Sequence, residues 1–407
     1  MAKVLHINCS STGSTGKIIG DIADYTANKG YENLLCAPSA PGTNPNVRYF
    51  RTSLPKEQGV YARLNRFYCL QYSIAPLSTV RIKRIIKREK PDLIHIHCIN
   101  CYMVNVHSLL AYIKKLQIPM VFTNHAEFYY TGNCPWAFDC DKWMTGCGNC
   151  PRVPLATGGK LRDTTAAGWK KMQATFSNME NTVMVSVSPW VGQRADRSPV
   201  VRNIPKTVIK NGVNTDMFTY RDAAALREKY NISPETKIIV HTTANFSNSP
   251  KDRKGGRYLL ELAKRFLGQD VLFVVAGKYT LGLEVPENMK LLGLVSDQKV
   301  LAEYYAMADI TVVTGERETF NMPVAESLCC GTPVAGFFAG GPESIAIARY
   351  SRFVEHANVD ALQAQVCALL EQNFSKEEIA AEAKKVYAAE VMAKEYMDIY
   401  NSLLKDR

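Results

Sequence analysis

The 407-residue sequence has no apolar run of membrane-spanning length, no internal repeat at solenoid spacing and no low-complexity tract. A spanning helix needs about 20 mostly apolar residues, so the first absence excludes an integral helical membrane protein. The other two exclude repeat arrays and disordered scaffolds. The N-terminal MAKVLHINCSS lacks an apolar segment followed by a small-residue cleavage site, and it reads as a first strand. The expected location is therefore the cytoplasm, where the twelve cysteines would be thiols or metal ligands rather than disulfides. Two phosphate-binding signatures are also missing. In SSTGSTGKII (10–19), the residue five before Gly16 is Ser11 and the residue after Lys17 is Ile18, so no P-loop can be written. No Gly-x-Gly-x-x-Gly can be written there either. What remains is a glycine-bearing turn between a strand and a helix, suited to an anion or to a plain tight turn.

What is present is an ordinary globular composition, 46% hydrophobic and 21% charged, in a chain long enough for two domains. The net charge of +11 is unevenly spread. Arg51 to Lys90 holds ten Lys/Arg against Glu57 and Glu89, together with Tyr61, Phe67, Tyr68 and Tyr72. Basic plus aromatic suits an anionic membrane surface or nucleic acid, and a solvated helix face is the plainer alternative.

The hydrophobic pattern alternates strands and helices. KVLHIN, DLIHIHC, PMVFTNH and TVMVSVS read as strands, with GKIIGDIADYTANKG and VHSLLAYIKKLQ as helices. The rhythm restarts with KIIVHTTA, GGRYLLELAKRFL, VLFVVAGK, DQKVLAEYYAMA, DITVVTG, MPVAESLCCG and PVAGFF. The expected fold is α/β, two Rossmann-like domains facing across a cleft, with ligands at the carboxyl ends of parallel strands. The expected divisions are 1–205, 206–385, and a helix at 386–407 packing back on the N-terminal domain.

The stretch GERETFNMPVAESLCCGTPVAG (315–336) carries the chemistry. Glu318 falls at a strand end and Glu326 in the following helix, seven residues between them. Phe320 and Asn321 precede that helix, where backbone N–H groups favour a phosphate. Two carboxylates there could hold the hydroxyls of a sugar and a ribose on either side of a diphosphate.

This stretch resembles the glutamate-x7-glutamate motif of the retaining glycosyltransferases of family 4, which have the GT-B fold. VSVSPWV (185–191), VIKNGVNTDMF (208–218), RKGG (253–256), VVAGK, LLGLVSDQKVLAEYYAMADITVVTG and the N-terminal STGSTGK are similar to further landmarks of that family, in the same order. The resemblance covers nearly the whole chain. It implies that Glu326 meets the nucleotide ribose and that Glu318 holds donor-sugar hydroxyls. Lys254 and Arg253 would neutralise the diphosphate, with no catalytic metal required. Gly16 would approach that diphosphate, His125 would lie near the donor sugar, and Phe320, Asn321 and Leu294 would belong to the nucleotide site. The donor would be a UDP- or GDP-sugar. Retaining transfer without a nucleophile would proceed by front-face departure and attack, and Glu127 is the nearby N-domain carboxylate for the alternative double displacement. The sequence departs from the family where Ala126 follows the histidine, where Asn321 replaces a frequent glycine, where Asn214 replaces an aspartate, and where the usual Gly-Arg is missing from HTTANFS.

Cys134, Cys140, Cys147 and Cys150 crowd CPWAFDCDKWMTGCGNC. A structural zinc, free packed thiols and disulfides are the readings, zinc being favoured by the Cys-x-x-Cys turn. Pro151 and Pro154 argue against a redox helix. His95 and His97 alternate with apolar residues and read as polar positions at a strand end, not metal ligands. The function expected is transfer of a sugar to a lipid-linked or oligosaccharide acceptor in bacterial polysaccharide or capsule synthesis, at the inner face of the cytoplasmic membrane and without nucleic acid. The alternatives are a sugar-nucleotide epimerase or phosphorylase of the same fold, and a zinc-containing nucleic-acid-binding protein.

Overall fold

Short apolar runs alternating with amphipathic segments build two parallel sheets. The computed structural model describes residues 1–39, 42–69 and 71–405. The chain divides into one unit of Met1–Lys210 with Met392–Arg407, and a second of Asn211–Val391.

The first unit contains β1 (Ala2–Ile7), β2 (Tyr31–Ala37), β3 (Val47–Arg51), β4 (Leu93–Ile96), β5 (Met120–Asn124), β6 (Thr182–Ser186) and β7 (Lys206–Val208). Their order is β3-β2-β1-β4-β5-β6-β7, parallel throughout. The chain winds outward from β1 to β3 and returns beside β1 as β4. The carboxyl ends of β1 and β4 therefore form the switch point where such sheets take ligands. Because Lys206–Val208 pairs with β6, the first unit runs to Lys210 rather than ending at 205.

The second unit contains β8 (Lys237–Phe246), β9 (Val271–Tyr279), β10 (Met289–Gly293), β11 (Ile310–Val313), β12 (Val334–Phe337) and β13 (Ser351–Val354). The order β10-β9-β8-β11-β12-β13 repeats the same winding, with its switch point between β8 and β11. Helix Gly256–Arg265 buries Leu259, Leu260, Leu262 and Ala263 against this sheet, in a core with Ile239, Phe273 and Val312. Full burial of such side chains contributes roughly 1.5–3 kcal/mol each.

Helix Ala389–Lys405 carries the chain back to the first sheet. Met392, Ala393, Tyr396 and Tyr400 join Val4, Ile18, Leu93, Val121 and Val185 in one core. Their hydroxyls are satisfied there: Tyr400 meets His95 Nδ1 at 2.6 Å and Tyr396 meets Thr123 Oγ1 at 2.9 Å.

Candidate active site

At the carboxyl end of β11, three segments of the second unit are tied together. The first is the turn before helix Gly256–Arg265. Asp252 Oδ1 accepts from Lys254 N at 2.9 Å, and Thr314 Oγ1 donates to Lys254 O at 2.9 Å. Gly255 (φ +74°) passes so close to β11 that an added Cβ would lie 2.1 Å from Thr314 O. No other residue fits, and the turn is thereby pressed against the strand end. Arg253 O accepts from Glu316 N at 2.9 Å, while the Arg253 side chain is exposed.

The second segment carries Glu318. Its N–H donates to Ala339 O at 3.0 Å, and its carbonyl accepts from Gly341 N at 2.8 Å. The third segment is held by Glu343, which accepts from Ala339 N at 3.0 Å and from Gly340 N at 2.7 Å. With both backbones fixed, Lys254 Nζ lies 2.5 Å from Glu318 Oε1, the lysine half-exposed and the carboxylate largely buried. A cation and a carboxylate are thus brought together from positions 64 residues apart.

Glu326 lies in helix Met322–Cys329, 9% exposed. Tyr305, buried below it, approaches Glu326 Oε2 at 3.4 Å and Thr242 Oγ1 at 2.6 Å. Burial first, and the Glu326 charge second, hold the Tyr305 phenol well above its usual range, so it remains a donor. Asn321 caps this helix at φ +80°, and among the described residues its Oδ1 is buried without a hydrogen-bond partner. Asparagine tolerates the left-handed region better than most side chains, which explains how it can stand in for glycine. Asn321→Ala is expected to lower stability by about 1 kcal/mol and Asn321→Gly to be near neutral, read from urea midpoints. Phe320 is buried, and the added-Cβ position on Gly341 lies 2.6 Å from its amide nitrogen. Leu294 follows β10 and is 64% exposed. Three strand spacings, about 14 Å, separate β10 from β11.

In the first unit, Gly16 lies in the opening turn of helix Gly13–Ala27. An added Cβ there would meet Ser11 C and O at 2.7 Å. The loop therefore needs this glycine for its own closure. His125 follows β5 directly and is half-buried, and burial lowers its pKa to about 4, leaving a neutral ring.

His6, His95 and His97 are fully buried rather than lining a surface, and their ligand atoms lie within 4.8 Å of one another. Each of their six ring nitrogens already has a hydrogen-bond partner. No carboxylate stands in this group to offset a buried dication.

Glu127 is also fully buried. Its oxygens meet Arg194 Nε, Tyr130 OH and Ala137 N, each at 2.7 Å. It anchors the cysteine-rich segment, and its enclosure argues against a nucleophile's role. In that segment Cys134, Cys140, Cys147 and Cys150 are free thiols, and no three of the sulfurs converge to ligand distance. Burial raises the Cys134 thiol and pushes Cys147 up to about 11. The four thiols remain electrostatic neighbours, Cys134 being raised also by Cys147, Cys150 and Cys140. The backbone of the segment is held by other partners: Glu127 N donates to Pro135 O, and Asp163 Oδ2 accepts from Cys150 N.

Two doubly wound parallel sheets in one chain, the second bearing two glutamates and a lysine about its switch point, define the two-domain GT-B class. Residues 223–386 match the family model "Glycosyl transferases group 1" and residues 15–217 match "Glycosyltransferase Family 4". The matches fall one on each unit, and the chain belongs to glycosyltransferase family 4. It is 20% identical over 418 residues to N-acetyl-alpha-D-glucosaminyl L-malate synthase of Bacillus anthracis, covering 97% of this chain and 96% of that one. It is 21% identical over 339 residues, 79% of each chain, to WcaC of Escherichia coli (strain K12), a glycosyl transferase named for colanic acid biosynthesis. In fold it is similar to Anabaena Alr3699/HepE in complex with UDP-glucose, with a TM-score of 0.66, 14% identity, and coverage of 99% and 100% of the two chains.

Proposed function

We propose that the protein transfers a sugar, with retention, from a nucleoside diphosphate sugar (UDP-linked in the first instance) to a lipid-linked glycan acceptor. The observation that carries this reading is the Lys254–Glu318 pair at 2.5 Å, on the segment that leads through the left-handed turn at Asn321 into the helix of Glu326. Glu326 accepts from the ribose hydroxyls, and Glu318 accepts from hydroxyls of the donor sugar. The diphosphate meets the helix N-terminus after Asn321 and the Lys254 ammonium. As the anomeric C–O bond breaks, its electron pair stays on the phosphate, and Lys254 stabilises that growing charge. An acceptor hydroxyl then attacks the same face, and the leaving phosphate oxygen takes its proton. His125, after β5, meets a sugar hydroxyl. UDP is the first choice because a neighbour in fold is complexed with UDP-glucose.

The lipid-linked acceptor is argued from one surface. Helix Glu57–Tyr68 turns Val60, Leu64, Phe67 and Tyr68 to solvent, 42% to 63% exposed and spaced as one helical stripe. Exposed Arg63 and Arg66 lie on the same helix, and helix Pro76–Glu89 adds exposed Leu77, Val80, Arg84 and Lys87. Apolar side chains between cations suit the headgroup layer of an anionic bilayer. Among the described residues no helix is long and apolar enough to cross a membrane. Partitioning onto anionic vesicles is expected to fall about tenfold or more in Leu64→Ser/Phe67→Ser. Equal partitioning of both proteins at low and high salt contradicts a membrane-facing role.

The reaction itself is tested by incubating the protein with UDP-sugars, with and without a bacterial lipid-linked glycan extract. Acceptor-dependent release of UDP and a product of the donor's anomeric configuration are expected. Conversion of the sugar nucleotide without acceptor would instead indicate an epimerase.

A further inference from the structure

A line of imidazoles runs inward from the carboxyl end of the first sheet. His125 Nε2 lies 3.2 Å from His97 Nδ1, and His97 Nε2 lies 3.1 Å from His6 Nδ1. His6 Nε2 lies 3.3 Å from Asn33 Oδ1. His125 directly follows β5, His97 directly follows β4 and His6 is on β1, three neighbouring strands, and Asn33 is on β2. His6 and His97 are wholly buried, and His125 alone of the three is partly exposed.

The direction of this chain follows from its inner end. Asn33 Nδ2 meets Ala23 O at 3.3 Å and Thr26 Oγ1 at 3.1 Å. A backbone carbonyl can only accept, so the amide nitrogen must face Ala23 and the amide oxygen must face His6. His6 Nε2 therefore carries the proton. Burial keeps all three rings neutral at pH 7, with His6 and His125 lowered to about 4 and His97 lowered well below its usual value. A neutral ring has one N–H and one bare nitrogen. His6 Nδ1 must then accept, so His97 Nε2 donates. His97 Nδ1 accepts in turn, so His125 Nε2 donates. His95 lies beside His97 with ring centroids 3.8 Å apart, but its own partners are Tyr400 and Thr123, and it stands outside the chain.

We propose that His97 and His6 are positioning residues which, with Asn33 setting the direction, hold His125 as the Nε2–H tautomer. His125 thereby presents Nδ1 as a hydrogen-bond acceptor. The partner of Nδ1 must be a donor, such as a sugar hydroxyl, and cannot be a phosphate oxygen. Only the identity of that partner rests on the proposed function; the tautomer itself does not.

The test is nitrogen-15 NMR of histidine-labelled full-length protein without ligand, at neutral pH. Two-bond couplings distinguish bare from protonated ring nitrogens. His6, His97 and His125 are each expected to show Nε2 protonated and Nδ1 bare, and Nδ1 protonation at any of them overturns the proposal. His6→Phe removes the acceptor of His97 and should mix or invert the His125 tautomer. His6→Gln, which can offer an amide oxygen to His97, should restore it. A folded His6→Phe with an unchanged His125 tautomer overturns the relay, and the wild-type spectrum decides if that variant does not fold. UDP-glucose is then added to wild type. A shift of His125 Nδ1 supports an acceptor role toward the sugar. An unmoved resonance with the expected tautomers supports the relay and refutes the placement of His125 at the donor.

Discussion

Lys254→Ala is expected to lower kcat for sugar transfer by about 10²–10³-fold, the loss seen when one preorganised donor to a developing oxyanion is removed. The substitution should leave the fold nearly untouched. Lys254 is half-exposed, and its ion pair with Glu318 sits where solvent screens it. The backbone of the turn is held by Asp252 and Thr314, neither of which depends on the lysine side chain. Urea midpoints of variant and wild type should therefore agree within about 0.5 kcal/mol. A loss below tenfold, with the fold intact, would remove Lys254 from the departure step. Lys254→Arg should recover only part of the rate, because a planar fork does not replace a compact ammonium at the distance Glu318 sets.

The largest stability effect is expected at Glu127. Removing one partner of a buried ion pair costs about 3–5 kcal/mol, because the other charge is left unpaired. Glu127→Ala would strand Arg194, whose guanidinium also lies over Trp143 and Trp190. It would also leave the Ala137 N–H and the Tyr130 hydroxyl without their acceptor. Chemical denaturation should show the loss directly. Glu127→Gln keeps an amide oxygen and most of the hydrogen bonds, and should fold well enough to assay. Its product should keep the wild-type anomeric configuration. Abolished transfer in folded Glu127→Gln would restore the nucleophile role that its enclosure argues against.

The βαβ rhythm of both units was legible because buried parallel strands leave continuous apolar runs, as in VLFVVAGK and DITVVTG. Several edge strands were not. VRYFR is half-exposed and charged, and β7 has only three residues, so neither leaves an apolar run. The glutamate pair and Lys254 were legible as motifs, but the 2.5 Å contact between residues so far apart in sequence was not. Tyr305 was missed because a tyrosine in an amphipathic helix looks like ordinary core; only its buried hydroxyl, shared with Thr242 and Glu326, marks it out. His95 and His97 read as polar positions at a strand end, but their burial was not legible: the return of helix Ala389–Lys405 covers His95 with Tyr396 and Tyr400, and His97 is enclosed among His6, His95 and His125. Around the four cysteines, the roles of Glu127 and Asp163 in holding the backbone were not legible, because each acts on a residue distant in sequence.

The central claim is that Glu326 and its neighbours hold a nucleoside diphosphate. Calorimetry with UDP, GDP, ADP and CMP on wild type and Glu326→Ala tests it most directly. Micromolar binding of one diphosphate, UDP first, weakened at least tenfold in the folded variant, is the predicted result. Binding of no nucleotide, or equal binding by both proteins, would contradict the account.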